Sequence, residues 1–294
     1  MKKLSIDIGG SSIKAGIVAD GTVSDRQKFS TPNTYLDFKI LLEDLIKRYR
    51  TVDDFELIAV AVPGTVENDG TVRFGGAIPY LDQINLKTVV NKMSGLPVTI
   101  ENDAKAATLG EMRRGNLRKI SNGAALILGT GVGLGICLNG SLYKGSHHQA
   151  GELSFMMRDR RVQSGDSFVG IGLSAVNLVE DLASILNTEA DGATVFARLN
   201  QQANADANQR FADYCFGVAQ ICFNLQTVLD LDKIVIGGGI SSQPLLIEKV
   251  QEAYQQILNT SPIIKKTVKQ IDITDAFFKA DANLIGAAEV INYG

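Results

Sequence analysis

The chain has 294 residues, 45% hydrophobic and 21% charged, with 29 glycines and 6 prolines, which is ample apolar content for a large core at a length that suits two domains. A net charge of −3 leaves no general basic surface for nucleic acid, and no apolar run approaches the roughly 20 residues of a membrane helix. Cys137, Cys215 and Cys222 make neither a disulfide framework nor a CxxC pair. Residues 1–18 run straight into a strand, so no signal peptide is expected and the cytoplasm is the default.

Leu4 to Val18 is predicted to be a buried strand, a tight turn of small residues and a second strand. The apolar run to Ile8 needs a sheet around it, and Gly9-Gly10 allows backbone angles closed to residues with a Cβ. Gly9, Gly10, Ser11 and Ser12 present N–H groups and hydroxyls unobstructed, which suits a polyanion such as a nucleotide phosphate. Asp7 ends an apolar strand, where a carboxylate is costly unless something cationic meets it. A hydrated Mg²⁺ accompanying ATP would do so. An ordinary hairpin with a capping Asp accounts for the same residues.

Asp20-Gly21 turns the chain into a third strand, Thr22–Phe29, followed by an amphipathic helix over Tyr35–Tyr49 with Leu41, Leu42, Leu45 and Ile46 on its apolar face. Leu57–Val62 is apolar throughout and reads as a parallel strand, ended by Pro63-Gly64-Thr65. Gly75-Gly76-Ala77-Ile78-Pro79-Tyr80 has no periodicity; its glycines allow close approach of a ligand, and a simple connector reads the same way. A helix at Leu86–Met93 and a strand at Val98–Ile100 lead to Glu101-Asn102-Asp103-Ala104, where a helix over Ala104–Arg113 begins. Open α/β sheets place ligands at such junctions. Asp is also a common N-cap, so Asp103 has a purely local explanation.

The opening pattern returns at Leu126–Leu138. A shift of 119 positions pairs Gly10 with Gly129, Ser11 with Thr130, Gly16 with Gly135 and Ile17 with Ile136, and it pairs Asp20-Gly21 with Asn139-Gly140. Small residues, apolar residues and turn kept in one register are an internal repeat. Two copies imply two similar lobes, whose glycine turns, facing each other across a cleft, would hold the two ends of one triphosphate.

Tyr143–Ser154 is polar and punctuated by glycine, hence a loop. Its His147 and His148 read as rim residues rather than a base, and a lone Glu152 as a solvated side chain unless a ligand claims it. Helices are expected over Leu173–Leu186, Ala193–Gln202 and Asn208–Leu229; Cys215 and Cys222 share a face of the last and read as core. Lys233–Ile236 is a strand running into Gly237-Gly238-Gly239, with Pro244 opening a helix. Those glycines lack the G-x-G-x-x-G spacing of a dinucleotide site. The closing helix, Asn283–Asn292, contains Gly286-Ala287-Ala288, small enough for close packing.

Asp7-Ile8-Gly9-Gly10-Ser11-Ser12-Ile13-Lys14 followed by Glu101-Asn102-Asp103-Ala104, with the second glycine hairpin behind them, resembles the ROK family of sugar kinases in the actin/hexokinase/Hsp70 ATPase superfamily. The resemblance covers essentially the whole chain. It implies an α/β, two-lobed actin-like ATPase (ribonuclease H-like) fold, each lobe a mixed sheet flanked by helices, with the ligand cleft between lobes. Residues 1–116, joined by the closing helix 281–294, would form the N-terminal lobe and residues 117–280 the C-terminal lobe. ATP and Mg²⁺ are implied: phosphates at Gly9, Gly10, Ser11, Ser12, Lys14, Gly129, Thr130, Gly131 and Gly133, adenosine over Gly238 and Gly239, and Mg²⁺ on Asp7 through water. Asp103 matches the family's catalytic base and Asn102 a sugar ligand; Glu152 matches the carboxylate of its Ala-Gly-Glu segment. Gly64, Gly76, His148 and Phe155 are grouped with the substrate contacts. Partners are expected to be the sugar, ATP and a second copy in a homodimer, with no nucleic acid and no membrane.

The sequence departs from the family in one place. Most members carry a Cys-rich zinc motif with a His three residues past that Glu; here the His position is Phe155, and Arg158–Ser174 has no cysteine, so no structural zinc is expected. A further sugar-contacting Glu of that motif falls among Gly172-Leu173-Ser174 and is expected to be lost. Both losses fall near the anomeric carbon in the family, so Phe155 either stacks on a second ring or aglycone or fills vacated space. The reaction expected is phosphorylation of a primary hydroxyl of a hexose, or of a glucoside or disaccharide. The rivals are a sugar-responsive regulator, for which a hairpin starting at Leu4 leaves no DNA-binding module, a carboxylate kinase of the same superfamily, and a sugar-binding protein with decayed catalysis.

Overall fold

Two five-stranded mixed sheets organise the chain, each built as an antiparallel hairpin continued by parallel strands. The computed structural model describes residues 1–201 and 204–290, so the ends of the predicted helices at Gln202 and at Ile291-Asn292 lie outside the described residues. The chain divides into two compact units: Met1–Arg118 with Leu142–Ala150 and the segment from Ala280, and Lys119–Ser141 with Gly151–Lys279.

The first unit holds β1 (Lys3–Ile8), β2 (Ser12–Ala19), β3 (Thr22–Ser30), β4 (Leu57–Val62), a short ribbon of β5 (Thr65–Val66) and β6 (Val72–Arg73), and β7 (Val98–Asn102). The sheet order is β3-β2-β1-β4-β7; β2 and β3 pair antiparallel, and β4 is parallel to both β1 and β7. Five of the six residues of β4 are buried, as expected of a central strand covered on both faces. Helices α1 (Tyr35–Val52), α2 (Leu86–Ser94) and α3 (Asp103–Arg114) flank the sheet. Thr34 caps α1 by accepting the Asp37 N–H, and the stripe it buries is Phe38, Leu42, Leu45, Ile46 and Tyr49; Leu41, expected on that face, is only partly buried.

The second unit repeats the plan with β8 (Gly123–Leu128), β9 (Val132–Leu138), β10 (Ser141–Tyr143), β11 (Lys233–Gly237) and β12 (Asp272–Asp275), in the order β10-β9-β8-β11-β12. Four residues separate the paired Ile8 and Ile13 in the first hairpin, whereas three separate Leu128 and Val132 in the second. The shift of 119 therefore holds for the second strand of each hairpin, while the first strands correspond at 120. Asp7 thus has Ile127 as its counterpart, not a second carboxylate.

Helices α4 (Val169–Gly172), α5 (Ala175–Leu186), α6 (Gly192–Gln201), α7 (Ala205–Leu229), α8 (Pro244–Leu258) and α9 (Pro262–Thr267) complete the second unit. Residues 169–186 have a mean hydropathy of 1.5 and match a membrane span in length and composition, but half of that stretch is buried in the protein, and it breaks before Ser174, whose side chain caps α5. Cys215 and Cys222 lie on the buried face of α7, in the core. The last helix, α10 (Ala282–Ala288), belongs to the first unit, where the Leu284 carbonyl accepts the Ser5 hydroxyl at 2.6 Å.

Candidate active site

In the first unit the candidate residues collect at one rim of the sheet. Asp7 of β1 is level with Ala61 of β4, and Ala61 with Glu101 of β7. The three strands are parallel, so the turn after β1, the Gly64 turn after β4 and the Asn102-Asp103 junction after β7 leave the same edge, with about 10 Å between the outer two. Gly10 and Ser11 are exposed at the tip of the first turn, which is closed by the Gly9 N–H donating to the Ser12 carbonyl at 3.0 Å and by Thr31, whose hydroxyl donates to the Gly9 carbonyl at 2.5 Å. A Cβ at Gly10 would come within 2.5 Å of the Ala77 Cβ, so this glycine also lets the Gly75–Ile78 loop, and with it Gly76, pack onto the turn.

Asp7 is 6% exposed. Its Oδ1 accepts from the Asn283 side-chain amide at 3.0 Å, and its Oδ2 lies 3.7 Å from Lys14 Nζ. Burial raises the carboxyl's pKa, and the Lys14 charge and the Asn283 hydrogen bond offset this only in part. A carboxylate so placed gains from a further cation, and a hydrated Mg²⁺, which is bound through one or two carboxylates plus phosphates, fits it. Asn283 was not legible as a site residue; it stands 276 positions from Asp7, and no spacing rule links the two.

The structure corrects the local explanation of Asp103. β7 runs two residues further than predicted, so Asn102 is the N-cap of α3, its Oδ1 accepting the Lys105 N–H at 3.1 Å. Asp103 is the first residue of the helix, half-buried, its Oδ1 accepting the adjacent Ala104 N–H at 2.8 Å. Asn102 Nδ2 also donates to the Gly64 carbonyl at 2.9 Å, which ties the two turns together. Those two bonds leave the Asn102 amide one N–H and one lone pair for a ligand. His148, in the Leu142–Ala150 segment of this unit, has a left-handed backbone (φ +57°) and is partly buried, whereas His147 is exposed.

In the second unit the turns of Gly129–Gly131 and Gly238-Gly239 leave neighbouring parallel strands, β8 and β11, at the same end. Gly238 takes φ +93°, and a Cβ there would overlap the Leu128 carbonyl; only glycine fits this approach. A Cβ on Gly129 or on Gly239 would meet nothing within 4 Å, so both turns border open space. Thr130 is exposed at the tip, Gly133 pairs with Ile127, and Ser154 braces the turn by accepting the Val132 N–H at 3.1 Å. The Ala175 N–H at the start of α5 donates to the Gly129 carbonyl at 2.9 Å, adding a helix N-terminus to this corner. Such an edge, open and rich in N–H groups, fits a nucleotide.

Glu152 and Phe155 line one groove of about 490 Å³ in the second unit, with Leu134, Ile136, Leu225 and Val228 among its apolar walls. Phe155 is 75% exposed, so the reading in which its ring fills vacated space fails.

Matched glycine hairpins on two sheets of one plan, with a carboxylate at a strand-to-helix junction of the first, define the actin-like ATPase fold. The chain matches the sequence profile of the ROK family over residues 3–293 and belongs to that family. It is 30% identical to a beta-glucoside kinase of Listeria monocytogenes, over 98% of this chain and 96% of that protein. It is 29% identical to an N-acetylmannosamine kinase of Vibrio vulnificus, over 98% and 97%. Among solved structures, a ROK family protein from Streptococcus pneumoniae in complex with sucrose superposes with a TM-score of 0.82 at 27% identity, covering 98% of this chain and 97% of that one. The chain is accordingly a phosphotransferase of the sugar-kinase class.

Proposed function

We propose that this protein transfers the γ-phosphoryl group of ATP to a primary hydroxyl of a hexose, or of a glucoside or disaccharide. The observation that carries the reading is the first-unit rim, where buried Asp7 and the exposed Gly/Ser turn at the end of β1 share one sheet edge with the Gly64 turn after β4 and with Asp103 after β7. In this reading Asp103 orients the acceptor hydroxyl and takes its proton, and Asn102 and Glu152 hold other hydroxyls of the sugar. Phosphoryl transfer passes through a loose transition state, so positioning and charge stabilisation outweigh base strength. Phosphate oxygens rest on the N–H groups of Gly9 to Ser12 and of Gly129 to Gly133, with Lys14 adding charge and Gly238-Gly239 lying under the adenosine. Mg²⁺ held by Asp7 through water would supply neutralising charge to the phosphates.

The exposed Phe155 beside Glu152 favours an acceptor with a second ring, as does the likeness to a beta-glucoside kinase; the N-acetylmannosamine kinase keeps a free monosaccharide in the panel. The protein is read as a cytoplasmic homodimer. Coupled ADP release with glucose, N-acetylmannosamine, cellobiose, an aryl β-glucoside, sucrose and acetate tests the reading. Turnover on at least one sugar and none on acetate is expected. Saturable sugar binding without ADP release on any of them would replace the kinase by a sugar-responsive binding protein.

A further inference from the structure

Glu101 and Lys144 make a contact that the phosphotransfer reading leaves unused. Glu101, next to last in β7, is 1% exposed. Its Oε1 accepts the Asn102 N–H at 3.0 Å, and its Oε2 lies 2.6 Å from Lys144 Nζ. No hydrogen bond from any other described residue reaches Oε2. A buried carboxylate oxygen is costly without a countercharge, so Lys144 is what makes Glu101 tolerable there.

Lys144 also stands at the foot of a loop. Its carbonyl accepts the Ala150 N–H at 3.0 Å, closing Gly145–Gln149 into a compact turn in which Gly145 (φ +76°) and His148 (φ +57°) both have left-handed backbones. For a residue such as His148 that conformation persists only where its surroundings hold it. One lysine therefore closes the loop with its backbone and fastens it with its side chain to β7, the strand that leads into the Asn102-Asp103 junction. Directly after the loop come Gly151 and Glu152.

We propose that Lys144 is a positioning residue for the acceptor sugar: its ion pair with Glu101 fixes the 144–150 loop, His148 included, against the end of β7 and holds the Asn102-Asp103 junction in register with it. The proposal rests on the kinase reading and deepens it, because it makes sugar recognition, and not nucleotide recognition, depend on this pair. A pair that served stability alone would, when broken, lower the melting temperature and leave the KM of the sugar alone.

Lys144→Met, Lys144→Arg and Glu101→Gln in the full chain separate the two. Lys144→Met and Glu101→Gln are expected to raise the KM for the sugar by a factor of about 10 to 100, the scale on which a misplaced binding group acts, with the KM for ATP within about twofold of wild type. Lys144→Arg, which keeps the charge, is expected to recover most of the loss. Hydrogen exchange of the 145–150 amides in the ligand-free chain supplies a readout independent of turnover, expected to be faster in Lys144→Met and close to wild type in Lys144→Arg. An unchanged sugar KM, an Arg variant no better than Met, or unchanged exchange overturns the proposal. A wild-type chain that phosphorylates no sugar removes the kinase reading instead, and the exchange result then still decides whether Lys144 fastens the loop.

Discussion

The side chain of Asn283, one residue into α10, donates a 3.0 Å hydrogen bond to Asp7 at the end of β1. The bond holds a carboxylate that the fold would accept more easily without its charge: burial raises the Asp7 pKa, and Lys14 at 3.7 Å and Asn283 recover only part of that cost. A carboxyl whose folded-state pKa lies above its unfolded value adds stability below the unfolded value, and that stability is lost as pH rises through the folded value. Asp7→Asn should therefore raise the melting temperature of the ligand-free chain at pH 8, and the gain should shrink as pH is lowered. The same substitution should cost Mg-dependent turnover at least about a hundredfold if Asp7 serves the metal, a trade of activity for stability. Melts at two pH values and one activity assay check both halves; a lower melting temperature at pH 8 contradicts the first.

Gly286 is where α10 meets α3. A Cβ at this position would overlap the carbonyl of Ala106, and a Cβ at Gly110 would sit 3.3 Å from the Gly286 backbone. The atom in the way is backbone, so neither helix can yield by turning a side chain. Gly286→Ala should cost about 1–3 kcal/mol or more in urea unfolding, the scale of overpacking. Because α10 also carries Asn283, activity should fall further than the folded fraction explains.

Asp103 and Asn102 stand side by side and should fail differently. Asn102 caps α3 and ties in Gly64, so Asn102→Ala should lose about 1–2 kcal/mol of stability. Asp103 does not cap the helix, and Asp103→Asn should keep the melting temperature while lowering kcat by a factor of about 10²–10⁴, with the KM for ATP little changed. Retained kcat in Asp103→Asn removes it as the base.

How much of this was legible follows from what each residue does locally. β4 announces itself by a run that is apolar at every position, β2 by its apolar stretch from Ala15 to Ala19, β1 by the alternation of Leu4, Ile6 and Ile8, and the hairpin repeat by glycines that only a turn explains. The one-residue difference between the two turns was hidden, because matching small residues does not fix which strand partner each one faces. β12 buries only Ile273 fully, and α9 has no buried residue, so neither carries an apolar period to read. Asn102 and Asp103 are both good capping residues, and the choice between them was made by the length of β7, a tertiary matter. The Asp7–Asn283 and Glu101–Lys144 contacts join residues far apart in sequence, beyond any local rule.

Phe155 offers the test that separates acceptors. Its ring is 75% exposed in a groove shared with Glu152, so little of its apolar surface is spent on the core. If a second ring stacks on that face, removing it should cost about 1–2 kcal/mol of binding, roughly 5- to 30-fold in KM. A free hexose held by hydroxyl contacts alone never reaches the ring and should not feel the loss. Phe155→Ala is therefore expected to raise the KM for an aryl β-glucoside or cellobiose while leaving that for glucose within about twofold and the melting temperature unchanged. Phe155→His tests the same face with a smaller, polar ring: it should fall between wild type and the Ala variant on the glycoside. Equal effects of Phe155→Ala on glucose and glucoside would mean that the ring does not distinguish acceptors, and the groove would lose its claim on the aglycone.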